Sequence, residues 1–93
     1  MNDLSGVRAV VSGRVQGVGF RYSAAKTATR LGLVGWVRNR FDGSVEVHCE
    51  GAPDSVAKYL KWLENGPPGA QVTQVDKRTV VSQNCYRSFT IDY

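Results

Sequence analysis

The sequence predicts an α+β sandwich in which two helices cover one face of a mostly antiparallel sheet and a fifth strand follows at the C-terminus. Three observations point to it. Strand-like and helix-like segments follow one another as strand, helix, strand, strand, helix, strand, strand. An Asp-Gly pair between the second and third strands marks a tight hairpin, which makes those two strands antiparallel neighbours. The 93 residues make one domain, 1–93, with a single modest core and about 60–65% of the unfolded surface removed from water.

Residues 7–13 (VRAVVSG) alternate weakly and are β-branched, the pattern of a strand. After a glycine-rich loop, Phe20, Ala24, Thr27, Ala28 and Leu31 recur at helical spacing, and Gly32 is placed to stop that helix. Residues 34–39 (VGWVRN) form the second strand, residues 41–44 (FDGS) the turn, and residues 44–50 (SVEVHCE) the third strand. In the third strand Val45, Val47 and Cys49 share one face and Glu46, His48 and Glu50 the other. Pro53 opens the second helix, Val56, Tyr59, Leu60 and Leu63 form its apolar stripe, and Gly66-Pro67-Pro68 ends it. Residues 71–81 read as the fourth strand and 86–93 as the fifth, with Phe89 and Ile91 alternating. No internal repeat, low-complexity segment or interdomain linker interrupts this order.

This is the split βαβ, ferredoxin-like order, in which the third strand lies between the first and the second. The first two strands then run the same way and end at the same edge of the sheet. The loop after the first strand and Asn39 at the end of the second are thereby expected to meet there, about 10 Å apart, two strand spacings.

That loop, GRVQGVGFR (residues 13–21), carries three glycines, an arginine near each end and no carboxylate. Glycine allows successive N–H groups to point into one concavity, and the helix behind adds the positive end of its dipole. Arg21 is an unfavourable choice at a helix N-terminus unless an anion binds there, and a guanidinium offers paired donors that match phosphate oxygens. The other reading is a tight strand-to-helix turn beside a surface arginine, and spacing alone leaves both open. No Lys-Ser/Thr pair follows and the glycines do not fit G-x-G-x-x-G, so the familiar nucleotide loops are excluded.

The loop motif together with GWVRN (residues 35–39) resembles the paired signature of the acylphosphatases, small ferredoxin-like enzymes that hydrolyse carboxyl-phosphate anhydrides. The resemblance extends through DGSVEV (residues 42–47) and WLENGP (residues 62–67), over nearly the whole chain. It implies that the backbone of Val15, Gln16, Gly17, Val18, Gly19 and Phe20 holds the phosphoryl oxygens, that Arg21 clamps the same group, and that Asn39 orients the attacking water. It implies no metal and no cofactor. The expected partners are an acyl phosphate and inorganic phosphate. The implied parts suffice for the chemistry: the leaving carboxylate has a conjugate acid of pKa about 4–5 and departs unprotonated, and phosphoryl transfer depends on positioning and electrostatics.

The remaining residues constrain the alternatives. The net charge of +4 suits anionic ligands, and Arg14, Arg38 and Arg40 near the same edge could steer them, although Arg38 and Arg40 read better as solvated surface residues. Strand parity places His48 with Glu46 and Glu50 on a solvated face, which argues against a catalytic histidine. Cys49 reads as a buried filler, Cys85 lies in the last connection, and neither has metal-ligand spacing. Their pairing is left open by the geometry and disfavoured by the cytoplasmic setting expected of a chain that opens without an apolar run. Trp36 and Trp62 read as packing residues, with Trp36 on the opposite parity to Asn39. An RNA-binding domain of the same topology would show aromatics on the first and third strands. Those faces instead offer Arg8, Val10, Ser12 and Glu46, His48, Glu50, so neither a nucleic acid nor a membrane is expected as partner. A non-catalytic module binding phosphate or carbamoyl phosphate is the other alternative; it would have no need of a water-orienting asparagine. A monomer is the default expectation, and no deep selectivity pocket for the acyl part is legible.

Overall fold

A computed structural model describes residues 4–93. The elements are β1 (Ser5–Arg14), α1 (Phe20–Arg30), β2 (Val34–Asn39), β3 (Val45–Gly51), α2 (Pro53–Leu63), β4 (Gln71–Val80) and β5 (Phe89–Asp92). The sheet order is β4-β1-β3-β2-β5. Every neighbouring pair is antiparallel except β2 and β5, which run parallel at one edge. As the pattern requires, β3 lies between β1 and β2. The ferredoxin-like α+β arrangement of the sequence reading is therefore the fold of the chain.

Register sorts the side chains. Val7, Ala9 and Val11 of β1 lie opposite Cys49, Val47 and Val45 of β3, and Gly35 and Val37 of β2 join the same rows. These residues form the helix-covered face and are buried. Gly35 has φ 137°, and a Cβ there would stand 1.9 Å from the His48 carbonyl oxygen, so only glycine lets β2 approach β3 this closely. Val56, Tyr59 and Leu63 bury the stripe of α2, each worth about 1.5–3 kcal/mol when fully removed from water. The Tyr59 hydroxyl donates to the Ala24 carbonyl at 3.0 Å, tying the two helices together inside the core. Burial of Tyr59 raises its phenol above the ordinary range.

The opposite face departs from expectation. His48 and Glu50 are 0% and 1% exposed, not solvated. The reason is the connection between β4 and β5, which must cross this face because the two strands occupy opposite edges of the sheet. Tyr86 of that connection packs on the His48 ring at 5.3 Å, and Trp36 stacks on it at 5.7 Å. Glu50 accepts hydrogen bonds from the Gln83 and Asn84 amides and the Ser82 hydroxyl. Burial pushes its carboxyl up, but these bonds and the His48 ring outweigh burial and hold it below the ordinary range. Because an arginine only donates, the Arg8 guanidinium requires His48 Nδ1 to be an acceptor. His48 Nε2–H then donates to Glu50 at 2.7 Å. The crossing also shortens the last strand to Phe89–Asp92 from the expected 86–93. Cys49 and Cys85 are free thiols, the first buried and pushed up by desolvation to about 12, the second exposed.

Candidate active site

The glycine loop is pinned at both ends by apolar anchors. Val15 and Phe20 are 1% and 2% exposed, while Gly17 and Gly19 between them are exposed. The Phe20 ring packs on Trp62 with centroids 5.7 Å apart, which joins the start of α1 to the end of α2. Burial at the ends thus holds an exposed backbone turn in one shape. Gly17 and Gly19 adopt φ of 77° and 76°, and a Cβ at either would meet nothing within 4 Å. Their glycine requirement comes from the left-handed backbone, the conformation from which anion nests are built. Val18 between them is half-buried against the core. Gly13 belongs to β1 as its strand pattern predicts, and Arg14, expected in the loop, extends the strand by one residue; the two pair with Val72 and Gln71 of β4. The free turn is accordingly residues 15–19.

Gln16 has a task that the sequence reading missed. Its Nε2 donates to the carbonyl oxygens of Arg40 and Ser44, at 2.8 and 2.9 Å. The side chain therefore straps the loop to the β2–β3 hairpin, immediately after Asn39. Asp42 stiffens that hairpin by accepting from the Ser44 amide at 2.9 Å. The Ser44 hydroxyl and amide hold the Asp42 carboxyl below its ordinary range. A polar residue between two loop glycines was the only sequence signal for the strap.

Asn39 ends β2 on the parity of Gly35 and Val37, toward the helices, and is exposed because the core has ended there. Arg21 lies in the first turn of α1. The N-cap is Gly19, with no side-chain cap and no acidic residue in the first turn. The first helical hydrogen bond runs from the Ser23 amide to the Gly19 carbonyl, which leaves the amides before it free of helical partners. Arg21 Nη1 donates to the Asp92 carbonyl at 3.2 Å, and its guanidinium lies 4.9 Å from the Tyr93 ring centre. Parallel pairing of β5 with β2 is what carries the chain end to this arginine.

A depression of about 200 Å³ gathers Val15, Gly17, Gly19, Phe20, Arg21 and Asn39 in its wall, together with Tyr22, Ile91 and Tyr93. It brings together loop, arginine and asparagine from three elements; Gln16 and Val18 contribute through the loop's shape. A larger concavity of about 840 Å³ on the open sheet face holds Arg8, Arg38, Arg40 and Arg78 but none of the loop. Its arginines serve structure in part. Arg38 binds Glu46 Oε1 through two nitrogens, at 2.9 and 2.7 Å, and lies over Trp36 at 4.7 Å. Among the described residues no three His, Cys, Asp or Glu side chains cluster as metal ligands, and no helix is long and apolar enough to cross a membrane.

Known proteins match this arrangement. The family model described as Acylphosphatase matches residues 7–91. An acylphosphatase from a Nocardioides species is 51% identical over 87 residues, covering 94% of this chain and 87% of its own length. The crystal structure of acylphosphatase from Bacillus subtilis superposes with a TM-score of 0.91 at 39% identity, covering 97% of this chain and 99% of that one. The acylphosphatase structure from Coxiella burnetii gives a TM-score of 0.92 at 40% identity over 98% of this chain and 94% of its own. The chain belongs to the acylphosphatase family and is an enzyme that hydrolyses acyl phosphates.

Proposed function

We propose that this chain cleaves carboxyl-phosphate anhydrides without a metal, using the amides of residues 15–20 and Arg21 to hold the phosphoryl group and Asn39 to aim the water. The observation that carries this reading is the convergence of the two left-handed glycines, Arg21 and Asn39 on one small depression. Preorganised N–H donors around the equatorial oxygens stabilise the charge that develops as the bond to the leaving carboxylate lengthens. The carboxylate leaves as the anion, so no general acid is needed. Asn39 does not titrate; its carbonyl oxygen accepts a hydrogen bond from water and points the lone pair in line. A phosphoryl oxygen of the substrate takes the water's proton, and the products are carboxylate and inorganic phosphate. The chain acts as a monomeric single domain in the cytoplasm in this reading, with no nucleic acid or membrane partner.

The test is hydrolysis of benzoyl phosphate by the purified protein in excess EDTA, beside Asn39→Ala and a phosphate monoester. Rapid anhydride cleavage, lost in the variant and absent on the monoester, is the expected result. Cleavage that requires added metal, or that survives unchanged in the variant, would overturn the assignment.

A further inference from the structure

The candidate depression does not end at its own rim. Tyr22, Ile91 and Tyr93 also line an adjoining groove of about 700 Å³ between α1 and β5, continued by Ala25, Thr29 and Phe89. The groove has a simple local origin. Ala25 and Thr29 follow Tyr22 at three and seven residues, so they share its side of α1, and both are small. They stand over β5, a four-residue edge strand whose Phe89 and Ile91 face the helices. Small side chains above a short edge strand leave a channel. Lys26 and Arg30 flank it with their apolar stems, and among the described residues neither has a carboxylate within 4 Å. At its mouth stand two aromatic rings, Tyr22 at 66% and Tyr93 at 99% exposure. Exposed aromatics on both sides of one opening suit an apolar guest.

The position of the groove decides which guest. Asn39 lines the depression at the end of β2, and β5 lies one strand further out. The groove joins the depression through Tyr22, Ile91 and Tyr93, so the acyl part of a substrate whose phosphoryl group sits in the depression is within reach of it. We propose that the groove between α1 and β5 is the acyl subsite, and that the enzyme favours acyl phosphates with an extended apolar acyl group. This rests on the phosphoryl site assigned above and replaces the indifference to the acyl part expected when no selectivity pocket is legible in the sequence.

The experiment compares kcat/KM for acetyl and hexanoyl phosphate in the wild type, Thr29→Glu and Tyr22→Ser, and measures binding of methylphosphonate and hexylphosphonate by calorimetry. Four added methylenes at half burial raise kcat/KM roughly tenfold in the wild type. Each substitution brings the hexanoyl-to-acetyl ratio to within about twofold of one; taking a ratio cancels any effect on the phosphoryl site itself. Hexylphosphonate binds more tightly than methylphosphonate, and Thr29→Glu removes the difference. Acetyl phosphate cleaved as well as hexanoyl phosphate, or a ratio that neither substitution moves, would overturn the acyl subsite while leaving the hydrolytic reading intact. If neither substrate is cleaved, the hydrolytic reading fails, and the phosphonate pair alone then decides the groove.

Discussion

The two helices are both 11 residues long and cover the same sheet, yet their N-termini are built in opposite ways. α2 starts from an extended Ala52, places Pro53 in its first turn and Asp54 beside it, and carries Lys61 in its last turn. Each choice agrees with the helix dipole and with the unpaired amides at the start. α1 starts from a left-handed Gly19, has no carboxylate in its first turn and puts Arg21 there. Its first amides have neither a helical partner nor a side-chain cap, and a cation faces the positive end of the dipole. The contrast teaches that α2 begins as stability dictates, whereas α1 gives up stability at the point where, in the proposed function, an anion completes it. The proposed active end of this molecule is the helix end whose charge opposes its dipole.

The sharpest way to break the comparison is to remove the cation. Arg21→Gln is expected to lower kcat/KM by at least about 10³-fold, the scale of an arginine that stabilises phosphoryl transfer. The rise in melting temperature that inorganic phosphate produces by linkage should vanish with it. A protected, active variant would return Arg21 to the status of a surface residue. Asn39→Ala separates water from phosphoryl binding: kcat should fall about 10²–10³-fold while phosphate still raises the melting temperature. Loss of both together would place Asn39 in the cradle instead.

Smaller effects test the backbone. Gly19→Ala adds a Cβ that meets nothing within 4 Å, so its cost is the left-handed conformation alone. That is about 1–2 kcal/mol, a drop in melting temperature on the order of 4–8 °C per kcal/mol for a domain of this size. A scan showing no shift would mean that the turn relaxes freely. Asp54→Asn should cost α2 only about 0.3–1 kcal/mol, diminishing with added salt, and leave kcat/KM unaltered. An activity loss there would deny that the two helix ends have separate tasks.

The loop and Asn39 were legible because their signals are local. Glycine spacing announces a backbone that bends, and a two-residue period places Asn39 on the helix side of β2 at the strand's end. His48 and Glu50 were misread for the complementary reason. Parity correctly assigned them to the face away from the helices, but exposure of that face depends on whether other chain lies over it. Residues 81–88 cover it only because β4 and β5 lie at opposite edges, a fact with no local trace. Gln16 belongs to the same class, since its two acceptors stand 24 and 28 residues away.

From the sequence alone came the elements, their order, the hairpin at Asp42-Gly43, the apolar faces and the glycine turn after β1, because each is written in neighbouring residues through propensity, period and backbone freedom. The tertiary structure alone decided which polar residues are buried, that Gln16 fastens the loop beside Asn39, and that Arg21 meets Asp92 and Tyr93. It also opened the groove along β5. These depend on which distant segments cross or share an edge, and that is settled when the sheet closes its hydrogen bonds and the core excludes water.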